Sequence, residues 1–205
     1  MTATANSREE EDLHASSRAK RDALRFLAYR GRSQAEVRRR LEKRHPQPVI
    51  DQVIDQLLAE GYLNDAAFAQ EWRRHRERGR PRAQGIIRRE LLKLGVDAEV
   101  VREALDGFDD AGNAYRAGLS LARRSQGSEY SEFRRRVWPY LQRRGFSQSV
   151  IRNAVEQLWS ESSDPLHGGV DPEAQEEQRE DSESEGVDGP ADEEGANHGG
   201  SSNPG

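Results

Sequence analysis

The chain repeats itself. Residues 37–43, 87–93 and 137–143 carry one pattern at a spacing of fifty. With Leu41, Leu91 and Leu141 as position zero, position −4 is Val37, Ile87 and Val137, and position +2 is Lys43, Lys93 and Arg143. Apolar residues four apart lie on one helical face. A residue two places further on lies about 200° around the helix. Each copy therefore predicts a helix with one buried side and one positive side. A second block follows, in which Val49, Val100 and Val150 match, then Ile50, Val101 and Ile151, then Val53, Ala104 and Ala154, then Ile54, Leu105 and Val155. Its spacing is again helical. A repeat of this length that yields mainly helices restricts the fold to small stacked helical modules.

Turn and cap residues divide the chain accordingly. Residues 17–61, 62–108 and 109–159 read as three three-helix repeats, so the expected fold is all-α and helix-turn-helix-like. In the first repeat a helix runs through Leu24, Leu27 and Ala28 and is stopped by Gly31, whose conformational freedom suits a helix end. Ser33 and Glu36 form a capping box for the next helix, and the prolines at 46 and 48 break it. Asn64 or Asp65, Asp97 and Ser147 are cap candidates further on. Phe68 and Trp72 are placed on the buried face of their helix, and Tyr115, Leu119 and Ala122 on that of theirs. Pro139 falls inside a helix and predicts a bend there, or a helix that begins later than in the other copies.

Outside the repeats the composition changes. Residues 1–16 are polar and read as a mobile lead-in. Residues 160–205 are rich in Glu, Asp, Ser and Gly and read as a disordered acidic tail. Of the 37 acidic residues, 14 lie from Glu161 onward beside a single basic residue; the other 23, with 31 basic residues, lie in 1–160. The net −5 of the chain thus hides a body of about +8. The tail either aids solubility or competes with polyanions for that body.

Several function classes lose support. There are no cysteines, hence no disulfide framework and no thiolate metal site. No apolar run approaches the roughly 18 residues needed to cross a bilayer, and the N-terminus lacks the apolar region of a signal peptide. A cytoplasmic protein without a membrane role is expected. His14, His45, His75, His167 and His198 stand alone, without a second ligand at helical spacing. Gly79 and Gly85 do not fit a phosphate loop, which needs a Lys-Ser/Thr after its second glycine. No catalytic, metal-binding or cofactor-binding set emerges, and the chain does not read as an enzyme.

The positive signal is arginine. Arg39 and Lys43 sit one turn apart, facing away from Val37 and Leu41, and Arg89 and Lys93 repeat that pair. In the third copy Pro139 takes the place of the arginine, leaving Arg143, with Arg135 one turn below. Arg73, Arg74, Arg76, Arg78, Arg80 and Arg82 read as a basic link between modules. Such a stripe attracts phosphates and releases their counterions, which gives salt-dependent binding with little sequence preference. Phe68, Trp72, Tyr115 and Trp138 read as core or module-contact residues rather than stacking platforms. Three uses of the basic face stay open: contact with a nucleic-acid or acidic protein surface, operator binding as a transcription factor, and a peptide adaptor without nucleic acid.

Three features together resemble the RecX family of regulators of the RecA recombinase. They are the tandem three-helix modules, the junction Leu57…Gly61-Tyr62-Leu63-Asn64-Asp65…Phe68-Ala69, and the ending Arg143-Arg144-Gly145-Phe146-Ser147…Ile151. The resemblance spans roughly residues 18–159. It implies a non-catalytic cytoplasmic protein that needs no cofactor. It also implies binding to RecA or along the RecA–DNA filament, limiting strand exchange and ATP hydrolysis, within DNA repair and the SOS response. The basic side chains named above are the contact candidates under this resemblance, with RecA and the DNA phosphate backbone as partners. A monomer is expected.

Overall fold

The chain forms helices in three consecutive groups. The structure is a computed structural model and describes residues 3–163. The first group is α1 (Ala3–Leu27), α2 (Gln34–Glu42) and α3 (Gln47–Ala59). The second is α4 (Asp65–Arg78), α5 (Gln84–Lys93) and α6 (Ala98–Ala104). The third is α7 (Asp110–Arg124), α8 (Tyr130–Arg143) and α9 (Gln148–Ser163). No strand occurs among the described residues. The acidic tail predicted from residue 160 lies outside the described residues, except that α9 runs on through its first four.

The repeated apolar positions make the three cores. Val37, Ile87, Val137, Leu41, Leu91 and Leu141 are all buried, and each belongs to the cluster of its own group. Ile50, Val101 and Ile151 fill the same place on the third helices. The first helices pack differently from expectation. Ala19 and Ala23 on α1, Ala69 on α4, and Ala114, Ala117 and Ala122 on α7 are the buried residues. Phe68, Trp72, Leu24, Leu27, Tyr115 and Leu119 are only partly buried around them. Small side chains let the helix axes approach closely. Gly118 on α7 is the limiting case, since a Cβ there would lie 2.6 Å from a Leu158 methyl of α9.

Caps fall largely where the residue types predict. Ser33 and Glu36 close a complete capping box on α2. Asn64 caps α4, Asp97 caps α6, and the Ser147 hydroxyl accepts from the Val150 N–H at 3.4 Å. Gly95 and Gly145, with φ near +87° and +85°, end α5 and α8. The chain then turns back so that the Val96 N–H donates to the Leu91 carbonyl and the Phe146 N–H to the Leu141 carbonyl. Gly31 does not end the first helix as predicted. α1 stops at Leu27, and Gly31 is absent from the left-handed glycines.

Two further expectations need correction. The lead-in of 1–16 is not a separate segment, because α1 begins at Ala3. Ser16 is buried and Ala15 packs on the first core, so the small-residue stripe of α1 starts before residue 17. α8 does not begin later because of Pro139. It begins at Tyr130, whereas α2 and α5 begin at Gln34 and Gln84, one turn later in the repeat. Tyr130 and Phe133 both pack on Trp159 of α9, with ring centroids 5.3 Å apart in each pair, and this holds the extra turn. Pro139 itself is exposed within α8, on the face away from the core, where an unpaired helix carbonyl costs least.

The two junctions between groups share one plan. At the first, the backbone N–H of Gln34, in the opening turn of α2, donates to the Asp65 carboxylate at 2.8 Å, and the Ser33 hydroxyl donates to the Leu94 carbonyl at 2.7 Å. At the second, the N–H of Gln84 donates to the Asp110 carboxylate at 2.8 Å, and the Ala83 N–H donates to the Arg144 carbonyl at 3.0 Å. The close approaches repeat as well: a Cβ on Gly95 would lie 2.4 Å from Ala35, and one on Gly145 would lie 2.4 Å from Ile86. Matching contacts at matching positions mean that nearly the same rotation and shift relates each group to the next.

Candidate polyanion interface

The basic residues sort into two sets once their partners are known. The first set is engaged within the fold. Arg73 is about one-fifth exposed; its guanidinium donates to the carbonyls of Ala104 and Asp106, closing the end of α6, and lies over the Phe108 ring. Arg76 and Arg82 both pair with Glu90 at 2.9 Å, and Glu90 also accepts from the Trp72 indole N–H at 2.8 Å. Three donors converging on one partly buried carboxylate tie α4, the 79–83 loop and α5 together. Arg74 pairs with Glu71 on the helix surface at 2.7 Å, holding the Glu71 carboxyl below its usual range. Residues 73–82 therefore belong to α4 and the loop after it, inside the second group, and not to a link between groups. Arg78 and Arg80 in this stretch are exposed.

The second set faces outward at repeat-equivalent positions. Lys43, Lys93 and Arg143 are exposed at the ends of α2, α5 and α8, and none makes a hydrogen bond or ion pair among the described residues. Their long side chains keep the charge in water while leaving the buried face of each helix undisturbed. Arg39 and Arg89, one turn earlier, lie back along their helices, each donating through Nε to the carbonyl four residues before it at 3.2 Å. Arg39 reaches further, to the Leu94 carbonyl at 3.1 Å, and so also secures the first junction. Arg89 makes no such cross-group bond. Arg135 is exposed and approaches Glu132 at 3.9 Å.

The two junctions carry this outward set along the array by repetition, as the sequence period suggests. What the sequence could not show is that half of the 73–82 arginines are turned to Glu77, Glu90 and backbone carbonyls. Arg40 and Arg44 crowd the second helix in the sequence, yet they and Arg25 are not among the contact candidates; all three line a cleft in the first group. Their only signal was density of charge, which a solvated helix shares. Trp138 packs on the third core with the Arg134 guanidinium 4.8 Å from its ring centroid, in line with a core-edge role. Among the described residues no group of His, Asp and Glu is arranged to hold a metal ion. No helix among them is long and apolar enough to cross a membrane.

Three family descriptions match the chain in order: "RecX, first three-helix domain" over residues 19–57, "RecX, second three-helix domain" over 64–105, and "RecX, third three-helix domain" over 109–155. Among relatives, a "Regulatory protein RecX" of Bacillus velezensis is 33% identical over 146 residues, covering 69% of this chain and 56% of that protein. One of Mycobacterium marinum is 35% identical over 137 residues, covering 64% of this chain and 79% of that one. The matched region thus spans little more than half the length of the Bacillus relatives. A crystal structure of RecX from Lactobacillus salivarius shares the fold with a TM-score of 0.63 at 22% identity, covering 72% of this chain and 99% of that chain.

Proposed function

The chain belongs to the RecX family, and on that footing we propose that it regulates the RecA recombinase by binding RecA or the RecA–DNA filament. It mostly lowers strand exchange and ATP hydrolysis, and so acts in DNA repair and SOS regulation. It works in the cytoplasm, as a monomer, by occupying surface rather than by catalysis. The observation that carries this reading is the recurrence of Lys43, Lys93 and Arg143, exposed and without partners, on groups joined by like junctions. A periodic row of free cations suits a periodic polyanion, and a nucleoprotein filament offers both DNA phosphate and acidic protein surface. Arg39, Arg89 and Arg135 precede that row on the same helices, and the exposed Arg74, Arg78 and Arg80 are further contact candidates. Arg73, Arg76 and Arg82 support it from within the fold.

The test is the DNA-dependent ATPase rate of the cognate RecA, titrated with the full chain. Inhibition well below one copy per RecA supports action on the filament. Inhibition only at amounts that coat the DNA reduces the activity to competition for phosphate. Charge reversal at Arg89 and Lys93 together weakens inhibition while helicity is retained; undiminished inhibition by that variant removes these residues from the interface.

A further inference from the structure

The second-helix ends of groups two and three are covered by the group before them. Leu94 and Arg144 are the positions there. The Leu94 carbonyl takes the Ser33 and Arg39 donors, and the Arg144 carbonyl takes the Ala83 N–H. The Arg144 guanidinium also donates to the Pro81 carbonyl at 3.4 Å and lies over Tyr140. Fifty residues before Arg144 stands Leu94, and fifty before that stands Arg44. The equivalent carbonyl, that of Arg44 in the first group, takes no such donor among the described residues. Beside it lies a cleft of about 190 Å³ between α1 and the end of α2.

That cleft is rich in positive charge, with the Arg40 guanidinium 5.7 Å from the Phe26 ring centroid. Arg25, Arg40 and Arg44 line it, all exposed, and none makes a hydrogen bond or ion pair among the described residues. The other arginines of α2 and the turn before it are committed: Arg30 and Arg32 to Glu36, Arg38 to Asp51, and Arg39 to Leu94. The one carboxylate in the wall, Asp22, accepts from His45 Nε2 at 3.0 Å; that bond, with the Arg25 and Arg44 charges, holds its carboxyl below the usual range, and three guanidiniums outnumber it. Beside the guanidiniums stands Tyr29, an aromatic ring left 82% exposed. Free guanidiniums next to a bare aromatic ring are the two halves of nucleotide recognition, one for phosphate and one for the base.

We propose that this cleft of the first group binds one unstacked nucleotide of a single-stranded polynucleotide. Arg25, Arg40 and Arg44 hold the phosphates, and Tyr29 stacks on the base. A second copy of the chain is a poor occupant. The face at the far end of the array that would meet it carries Arg134 and Arg135 at the positions equivalent to Gln34 and Ala35, so arginine would meet arginine. The proposal extends the polyanion reading to a defined pocket, and its test contains no RecA, so the two can fail separately.

The experiment is anisotropy of a labelled short oligothymidine, and of a duplex of the same length, with the full chain across a salt series. Arg40→Ala with Arg44→Ala weakens oligothymidine binding and flattens the slope of log K against log salt by about 1.4, two contacts at about 0.7 each. Tyr29→Ala weakens oligothymidine binding by about 5- to 150-fold, leaves the salt slope unchanged and spares the duplex; Tyr29→Trp restores it. Arg102→Ala, in an exposed pair with Glu99 far from the cleft in sequence, changes nothing. Circular dichroism confirms that each variant is folded. Wild-type oligothymidine affinity in the double arginine variant overturns the site. So does an equal loss with Arg102→Ala, which would mean net charge alone. Equal loss of duplex and single strand in Tyr29→Ala overturns the stacking and with it the nucleotide assignment.

Discussion

The first and second junctions use the same backbone arrangement with different side chains. Both join the opening turn of one second helix to an aspartate of the following group, and both press a left-handed glycine against the preceding group. At the first junction the glycine meets the methyl of Ala35, which cannot move aside, and a serine hydroxyl supplies the cross-group bond. At the second, the glycine meets the flexible end of Ile86, and a backbone N–H supplies the bond. The relation between groups is therefore set by backbone geometry, while the filler around it is free to vary. A methyl added at Gly95 therefore has less room to be accommodated than one added at Gly145.

Glycine replacement breaks this comparison most sharply. Gly95→Ala adds a left-handed backbone penalty of about 1 kcal/mol to overpacking of about 1–3 kcal/mol. A loss of about 3 kcal/mol in urea unfolding is expected, and a loss below 1 would mean that the first junction yields as easily as the second. Ser33→Ala comes next, at about 2 kcal/mol. It removes both the cap of α2 and the bond to Leu94, and the variant should match the alanine that the second junction already has. Gly145→Ala is expected to cost about 1–2 kcal/mol, because the Ile86 side chain can rotate away. Gly61→Ala provides the baseline of about 1 kcal/mol, since its φ is +76° but nothing lies within 4 Å. If Gly145→Ala costs no more than Gly61→Ala, the second junction tolerates a full methyl.

The smallest effect is a pH dependence at the first junction. Burial pushes the Asp65 carboxyl above its usual value, opposed by the Gln34 N–H and reinforced by Glu36. A raised folded-state pKa means that the folded chain holds the proton longer than the unfolded chain. Asp65 therefore favours the fold at acid pH, and that contribution is lost as pH rises from the ordinary carboxyl range through the raised value. Asp65→Asn keeps an oxygen to accept from Gln34 and removes the charge. Its stability relative to the parent should rise as pH climbs through that window, by a few tenths of a kcal/mol after solvent screening. A flat difference between parent and variant unfolding curves across acid pH would remove burial of Asp65 as a cost.

Much of the fold was legible because the decisive signals are local. The spacing of Val37, Leu41 and their copies, the Ser33–Glu36 box and the glycines at 61, 95 and 145 all act within one or two turns. The faces of α1, α4 and α7 were misread because alanine and glycine carry little hydrophobic signal. Their role is to allow close approach, which exists only when a second helix is there. The later start of α8 that Pro139 suggested does not occur, for a similar reason. The early start of α8 depends on Trp159, which lies on another helix.

The sequence alone thus determined the three-module, all-helical plan, the buried positions of its second and third helices, and the recurrence of Lys43, Lys93 and Arg143. These follow from periodicity and propensity, which need no distant partner. The tertiary structure decided which arginines are spent and which are free. Arg73, Arg76 and Arg82 are consumed by groups as many as 33 residues away, whereas Arg25, Arg40 and Arg44 line a cleft without a hydrogen bond or ion pair among the described residues. A guanidinium's availability depends on what else comes within about 4 Å of it. Only the packed chain fixes that.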